Sequence, residues 1–192
     1  MLDKALTQRD ASISKKITIK SLVSLLLIAL AVALPQLVHL ALGQPGGVQF
    51  LPMYLPVLVG GCLLGARWAV TVGALSPVVS YLLTSIAGDP MPALPRLPFM
   101  IAELTVFALV AGMFSKKIAE NGLWAFPAVI AAQLAGRAVF LGAVALFQGV
   151  SPFTVPMIWS QIVAGLPGLA IQAVLVPLII IALRAVLMKD KD

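Results

Sequence analysis

The chain has 192 residues, 61% of them hydrophobic and only 10% charged, and its mean hydropathy is +1.07. A typical soluble domain has about a quarter of its residues charged, so this composition excludes a solvated globular protein and indicates that lipid surrounds most of the chain. The net charge of +6 does not indicate a nucleic-acid partner, because the basic residues flank apolar runs as membrane topology signals do.

Six apolar segments are candidates to cross a bilayer, which takes about 20 residues. The first follows a basic stretch, and the lack of a small-residue cleavage site after it predicts a retained helix rather than a signal peptide. The second is short and begins at Pro52. Prolines inside such spans are tolerated where neighbouring helices satisfy the freed backbone groups. In chain order, the predicted spans are residues 18–40, 52–65, 68–86, 98–114, 123–147 and 158–186.

The loops between these spans predict the orientation of the chain. Three alternate loops, residues 41–51, 87–97 and 148–157, contain only Asp89 and Arg96 as charged residues. The other basic residues outside the spans lie on the opposite side, so the positive-inside rule predicts cytoplasmic N- and C-termini. The sequence therefore predicts an all-α integral membrane protein whose residues 1–192 form a single membrane domain. The predicted inside basic residues are Lys4, Arg9, Lys15, Lys16, Lys20, Arg67, Lys116, Lys117, Arg184, Lys189 and Lys191.

The predicted outside loops are rich in glycine and proline. Residues 43–47 read Gly-Gln-Pro-Gly-Gly, and residues 87–97 contain three prolines. Proline pre-sets turn geometry, so two interpretations stay open. Either these loops form a shaped lid, or they are merely tight connections.

Glu103 and Arg137 are the two charged residues that fall clearly inside predicted spans. An ionisable group in hydrocarbon is costly and marks either a functional site or a paired ion. The two lie on consecutive spans and can approach each other. They either line a cavity open to the outside and contact a polar solute, or form a structural ion pair. An unpaired Arg137 would suit a carboxylate, since its guanidinium presents a planar fork of donors.

Uncharged polar side chains near the same level strengthen the cavity hypothesis. Gln133 lies on the fifth span, and Thr84 and Tyr81 lie on the third. Trp159 and Gln161 lie near the outer end of the sixth. Singly, such groups are more often helix–helix hydrogen-bond partners. Together they predict an apolar pocket with a few polar groups, which is how small-molecule sites are built.

Enzyme signatures are missing from the sequence. A single histidine excludes a histidine-rich metal site, and no nucleophile-elbow, nucleotide-binding-loop or paired-aspartate motif occurs. We therefore expect no catalysis, no cofactor and no metal, and any active transport must draw its energy from a partner or an ion gradient. Ala29 and Ala33 on the first span form a small-residue face for close helix approach.

Several short motifs lie between residues 50 and 114. They are Leu51-Pro52-Met53, Leu55-Pro56-Val57, Gly60 to Gly65, Ser76-Pro77, Leu82-Leu83-Thr84, Ala102-Glu103-Leu104 and Gly112. In this order and spacing they resemble the substrate-specific S components of energy-coupling factor (ECF) vitamin transporters. The close resemblance covers about a third of the chain, while its size, six spans and termini agree throughout.

The resemblance implies a function and partners. Such S components bind a vitamin or related micronutrient in a cavity on the extracellular side of the bacterial plasma membrane. They associate with a transmembrane coupling subunit and two cytoplasmic ATPases, and are thought to topple in the membrane to release substrate. Their first helix commonly carries an alanine motif for the coupling subunit, which here corresponds to Ala29 and Ala33. Glu103 occupies the position of the glutamate on their fourth helix.

One position departs from the pattern, because Tyr54 stands where these S components usually have histidine. If that position touches substrate or gates the pocket, specificity does not transfer. Pantothenate is the first expectation, because its carboxylate would suit Arg137, while cobalamin, folate-like and queuosine-related solutes stay open. The alternative from another class is a structural membrane protein of the rod-shape-determining type, with no transported ligand.

Overall fold

Helices suit this chain because backbone polar groups inside a bilayer must find partners within their own segment. The computed structural model describes residues 1–8, 10–147, 149 and 152–188, and every regular element within them is helical. Arg9, Lys189 and Lys191, which contribute to the predicted charge asymmetry, lie outside the described residues. The helices are α1 (Leu2–Gln8), α2 (Ile13–Phe50), α3 (Tyr54–Leu64), α4 (Ala66–Ile86), α5 (Leu97–Met113), α6 (Ser115–Glu120), α7 (Ala125–Phe147), α8 (Val155–Ala164) and α9 (Leu166–Leu187), and short 3₁₀ turns cover Leu94–Arg96 and Gly122–Trp124.

Six helical segments of the described chain are long and apolar enough to cross a membrane. The prediction of an all-α protein with six such helices is therefore confirmed, and the chain has the makeup of a multi-pass membrane protein. The segments are Ile13–Gly43, Pro45–Leu64, Ala66–Ile86, Leu94–Met113, Gly122–Phe147 and Leu166–Leu187.

The predicted loop 41–51 is helical almost throughout. Inside α2 the backbone leaves helical geometry at Gly43 (φ 68°, ψ −172°), and the second span begins at Pro45. A Cβ added to Gly47 would lie 2.5 Å from a ring carbon of His39, so the chain doubles back at this point. Glycine adopts a positive φ at little steric cost, and the helical turns on either side keep polar backbone groups away from lipid.

The last predicted span, residues 158–186, consists of two helices. α8 begins after Thr154, whose hydroxyl accepts a hydrogen bond from the Met157 N–H (3.4 Å), and it ends before Gly165. Pro167 lies in the first turn of α9, where a missing N–H is tolerated but a preceding helix cannot continue through it. With 10 residues, α8 is too short to cross a bilayer, so α9 alone is the sixth span.

Contacts between distant segments define the two ends of the bundle. Lys20 Nζ lies 2.6 Å from Asp3 Oδ1, and the side chains of Lys20 and Glu120 line one cavity. Near the end of α9, Arg184 Nη2 donates to the Glu120 carbonyl oxygen at 2.8 Å. We call this the termini end, and the opposite end, which carries residues 87–96, the distal end. That the termini end faces the cytoplasm stays a prediction from the charge pattern.

α5 lies between α3, α4 and α7 in the described bundle. Its residues Leu104 and Phe107 are completely buried. Glycines on the neighbouring helices permit close approach: a Cβ added to Gly73 of α4 would lie 2.5 Å from the Leu104 carbonyl oxygen, and one added to Gly136 of α7 would overlap the Phe107 ring. This packing fixes the position of α5 and of the glutamate it carries.

Candidate functional site

The two intramembrane charges meet inside the bundle. Glu103 of α5 is 0% exposed, and its Oε1 lies 2.9 Å from Nη1 of Arg137 on α7. The other oxygen, Oε2, accepts a hydrogen bond of 2.7 Å from the Tyr54 hydroxyl on α3. The guanidinium carbon of Arg137 lies 5.0 Å from the Tyr54 ring centroid, within cation–π range. We call Tyr54, Glu103 and Arg137 the buried triad, and it links three helices.

Within the buried triad, both carboxylate oxygens of Glu103 have a partner, whereas the guanidinium of Arg137 has unpaired donors. Nε and Nη2 of Arg137 are buried without a hydrogen-bond partner among the described residues, and each such donor costs about 1–3 kcal/mol. The charge of Arg137 is nevertheless matched by Glu103. The predicted carboxylate contact at Arg137 assumed an unpaired arginine, and in this structure the arginine is paired.

A cavity of about 410 Å³ opens at the distal end, between the doubled-back part of α2, the start of α3, the end of α4 and the loop that precedes α5. Tyr54 lines this cavity and also donates a hydrogen bond to Glu103, so it connects the cavity with the buried triad. Glu103 and Arg137 do not line it. The apolar lining consists of Pro35, Val48, Leu51, Pro52, Met53, Pro90, Met91, Pro92, Ala93, Met100 and Phe153.

Two hydroxyls of α4 hold the proline-rich loop over this cavity. Ser80 Oγ donates to the Met91 carbonyl oxygen at 2.7 Å, and the Met91 N–H donates to Thr84 Oγ1 at 2.7 Å. Thr84 Oγ1 in turn donates to the Ser80 carbonyl oxygen at 2.7 Å. The loop therefore covers a cavity as a shaped roof, which favours the first of the two interpretations of its prolines. The predicted site residue Thr84 holds the roof and does not line the cavity.

Besides Tyr54 and Ser80, three polar or charged residues line the cavity and are candidates to contact a solute. They are His39, Asp89 and Arg96. The Nδ1 atom of His39 lies 2.9 Å from the Pro35 carbonyl oxygen, and since a carbonyl only accepts, Nδ1 carries the hydrogen. The guanidinium carbon of Arg96 lies 5.7 Å from the Phe140 ring centroid. The cavity thus combines apolar walls with one guanidinium, one carboxylate and one imidazole.

Four other predicted site residues lie away from the cavity. Gln133 Nε2 donates to the Leu169 carbonyl oxygen at 3.1 Å and joins α7 to α9. Trp159 is 59% exposed on α8. Tyr81 and Gln161 are half-buried, and neither lines the cavity. The structure brings Tyr54, Glu103 and Arg137 together and leaves these four apart from them.

Sequence reasoning missed the cavity's own charged residues. Arg96 and Asp89 appear in the sequence only as isolated charges of a predicted outside loop, and His39 as the end of the first span. The sequence signal for Arg96 and Asp89 is the high proline content of residues 87–97. A proline-rich loop has a defined shape, and residues within it line any cavity that the loop covers. Val48 had no such signal, since its place depends on the chain doubling back at Gly43.

Ala29 and Ala33 both lie on the exposed side of α2. Ala31, between them, is fully buried, so the small-residue face points away from the bundle. The same side of α2 carries exposed Leu25 and Leu26, at 63% and 59%. This face is open to lipid or to another membrane protein.

Comparison with known proteins returns no matching family model, curated protein or solved structure. In the described part of the chain, no three His, Cys, Asp or Glu side chains come together as metal ligands would.

Proposed function

We propose that the protein is a membrane-embedded, high-affinity substrate-binding subunit of an ECF-type ABC importer. It captures a vitamin or related micronutrient in the distal-end cavity for ATP-driven uptake into a bacterial cell. The observation that carries the proposal is the roofed cavity. Residues 50–114, whose motifs resemble those of S components, contribute most of its lining.

The size and chemistry of the cavity support a small organic solute. Its volume of about 410 Å³ falls in the range of roughly 300–1,000 Å³ that small-molecule sites occupy. Such sites combine apolar walls with a few polar groups that fix orientation. Val48, Met53, Met100 and Phe153 supply apolar wall, and Arg96 supplies a cation.

The position of Arg96 refines the expected substrate. Arg96 lines the cavity, and its guanidinium suits a carboxylate because it can offer two parallel donors. The carboxylate of Asp89 lines the same cavity and suits a solute that also carries a hydrogen-bond donor. Pantothenate stays the first candidate, with Arg96 rather than Arg137 as the residue that meets its carboxylate. Arg137 and Glu103 then act behind the wall, through Tyr54.

A thermal-shift screen of the purified protein against B vitamins and their precursors tests the proposal. We expect one acidic solute to stabilise the protein by about 2.7 kcal/mol at a concentration one hundred times its Kd. Pantothenate goes first in the screen. No stabilising solute in a verified folded sample would contradict the proposal and favour the structural membrane protein instead.

Matched variants locate the binding in the cavity. Val48→Trp fills the cavity from α2 and is expected to abolish the shift, while Leu40→Trp, on the same helix at a side chain 85% exposed, leaves it unchanged. Arg96→Gln is expected to weaken an acidic hit by about tenfold or more, because a hydrogen bond to a charged group contributes roughly 1.5–3 kcal/mol. A hit that survives Val48→Trp binds elsewhere.

The proposal includes partners, because the sequence lacks a nucleotide-binding loop. The energy comes from a transmembrane coupling subunit and a pair of cytoplasmic ATPases, as the resemblance implies. The exposed small-residue face of Ala29 and Ala33 on α2 supports a helix–helix contact there, since small residues let two backbones approach closely in a membrane.

Double substitution Ala29→Leu/Ala33→Leu is expected to weaken association with the coupling module by about tenfold or more, since overpacking costs roughly 1–3 kcal/mol. Solute affinity should stay unchanged, because both positions lie outside the cavity. Co-purification with co-expressed coupling subunit and ATPases measures the association, and the thermal shift measures the solute affinity. The control is Ala41→Leu, at another exposed alanine of α2. Equal loss in the control would show that the face has no special role.

A further inference from the structure

A second cavity lies at the termini end, with a volume of about 890 Å³. It is bordered by α1, by the start of α2, by the junction of α3 with α4 and by the junction of α5 with α6. The distal-end cavity shares no residue with it. Neither the substrate nor the partner contact proposed above makes use of this cavity.

The cavity carries an excess of positive charge. Lys20 is paired with Asp3 at 2.6 Å, which removes both from the balance. Lys4, Arg67 and Lys116 also line the cavity and are exposed, and none forms an ion pair with a described residue. Against these three cations stands the carboxylate of Glu120. An anion is the ligand that this imbalance attracts.

The first turn of α4 adds hydrogen-bond donors at the same place. α4 is 21 residues long and begins at Ala66, and residues 65–68 line the cavity. The leading N–H groups of a helix have no intrahelical acceptor and carry a partial positive charge, which is why phosphate groups bind there.

Ser115 points to a ligand independently of the helix end. Its side chain is 7% exposed and lines the cavity, yet its hydroxyl makes no hydrogen bond to any described residue. A Cβ added to Gly65 would lie 3.1 Å from Ser115 Oγ, so the hydroxyl sits beside the start of α4. A hydroxyl that lines the cavity without a hydrogen-bond partner, beside the first amides of α4 and among three cations, is suited to an anionic oxygen.

We propose that this cavity binds the phosphate group of an anionic membrane lipid. A lipid is favoured over a soluble phosphate because Met113, at the end of the α5 span and 68% exposed, lines the same cavity and continues it toward the lipid-facing surface. Basic pockets between transmembrane helices near the membrane surface are known to take lipid headgroups. The phosphate lies against Ser115 and the α4 amides, Arg67 and Lys116 flank it, and the acyl chains run past Met113.

Lipid titration of the purified full chain tests this, with melting temperature and native mass spectrometry as readouts. Phosphatidylglycerol is compared with phosphatidylcholine of identical acyl chains. We expect tight binding of the anionic lipid alone. Arg67→Gln/Lys116→Gln should weaken it by about 25-fold, at roughly fivefold for each charge. The control is Lys117→Gln, because Lys117 lies 4.6 Å from the Trp124 ring centroid and outside the cavity. It should leave the affinity unchanged.

Ser115→Ala keeps every charge and serves where the double variant fails to fold. It should weaken phosphatidylglycerol binding by about fivefold, the effect of one hydrogen bond of roughly 1 kcal/mol. Equal binding of both lipids, or an equal loss in Lys117→Gln, overturns the site. Displacement of the lipid by inorganic phosphate at similar concentrations overturns a lipid as its occupant. Vitamin binding is measured separately, and its presence or absence does not affect the test of the lipid site.

Discussion

Replacing Arg137 with methionine is expected to destabilise the protein by about 3–5 kcal/mol, the usual effect of removing one partner from a buried ion pair. Glu103 is fully buried, and its Oε1 has no hydrogen-bond partner other than this ion pair in the described chain. The free energy of unfolding, measured by denaturant titration of the purified protein, gives the value. Glu103→Gln/Arg137→Met should recover most of the loss, because no charge is then left buried alone.

A smaller substitution measures the contribution of Tyr54 to stability separately from that of the ion pair. Tyr54→Phe keeps the ring against Phe107, with centroids 4.9 Å apart, and removes the hydrogen bond to Glu103. We expect a loss of roughly 1.5–3 kcal/mol, as for a hydrogen bond to a charged group.

The same variants decide between the two interpretations of the pair. If Arg137→Met loses solute affinity while its stability is unchanged, Arg137 contacts the solute. If stability falls and the double variant restores both stability and binding, the pair is structural. The second result is the one we expect, because Tyr54 stands between the pair and the cavity.

Gly73→Ala is expected to cost about 1–3 kcal/mol, as overpacking does. The added methyl would lie 2.5 Å from the Leu104 carbonyl oxygen and 2.9 Å from its carbonyl carbon. Those are backbone atoms of the buried helix α5, so relief requires α4 and α5 to move apart. The matched control is Gly142→Ala on α7, where nothing lies within 4 Å of an added Cβ. It should not destabilise, because alanine is the better helix former. Equal stability of the two variants in denaturant titrations would falsify the close contact of α4 with α5.

Hydropathy and charge predict the membrane part of this fold well because both act through sums over many residues. The number of spans follows from apolar length, and the meeting of Glu103 with Arg137 follows from two costly charges on consecutive spans. The sequence does not determine whether such a pair faces a cavity. That depends on where Tyr54 stands, which is set by the packing of α3 against α5.

The turns are predicted less well, because in a membrane protein glycine and proline occur both in loops and inside helices. The run from Gly43 to Gly47 has the composition of a loop, yet only Gly43 leaves the helix. In lipid, unpaired backbone is so costly that the chain turns within as few residues as possible. Conversely, Gly165 and Pro167 divide a run of continuous hydropathy into α8 and α9, which an apolar window cannot detect.

The sequence predicts which polar residues lie inside the bundle, but not which partners their side chains contact. Gln133 and Thr84 have the polarity of ligand contacts, but one joins two helices and the other holds a loop. Whether a side chain meets a solute or a backbone carbonyl depends on distances of a few ångströms. Helical periodicity alone does not resolve these distances.

A few hydrogen bonds attach the roof to α4. In the described chain, the side chains of Ser80 and Thr84 bond the backbone of Met91, and the Thr84 carbonyl oxygen accepts from the Asp89 N–H. Each such hydrogen bond contributes only about 1 kcal/mol. The helices beneath are joined by close packing and by the buried triad. We therefore expect the roof to open as a lid, on a scale of roughly microseconds or longer, without rearrangement of the helices. If a solute binds in this cavity as proposed, the opening of the roof rather than a rearrangement of the helices sets its exchange.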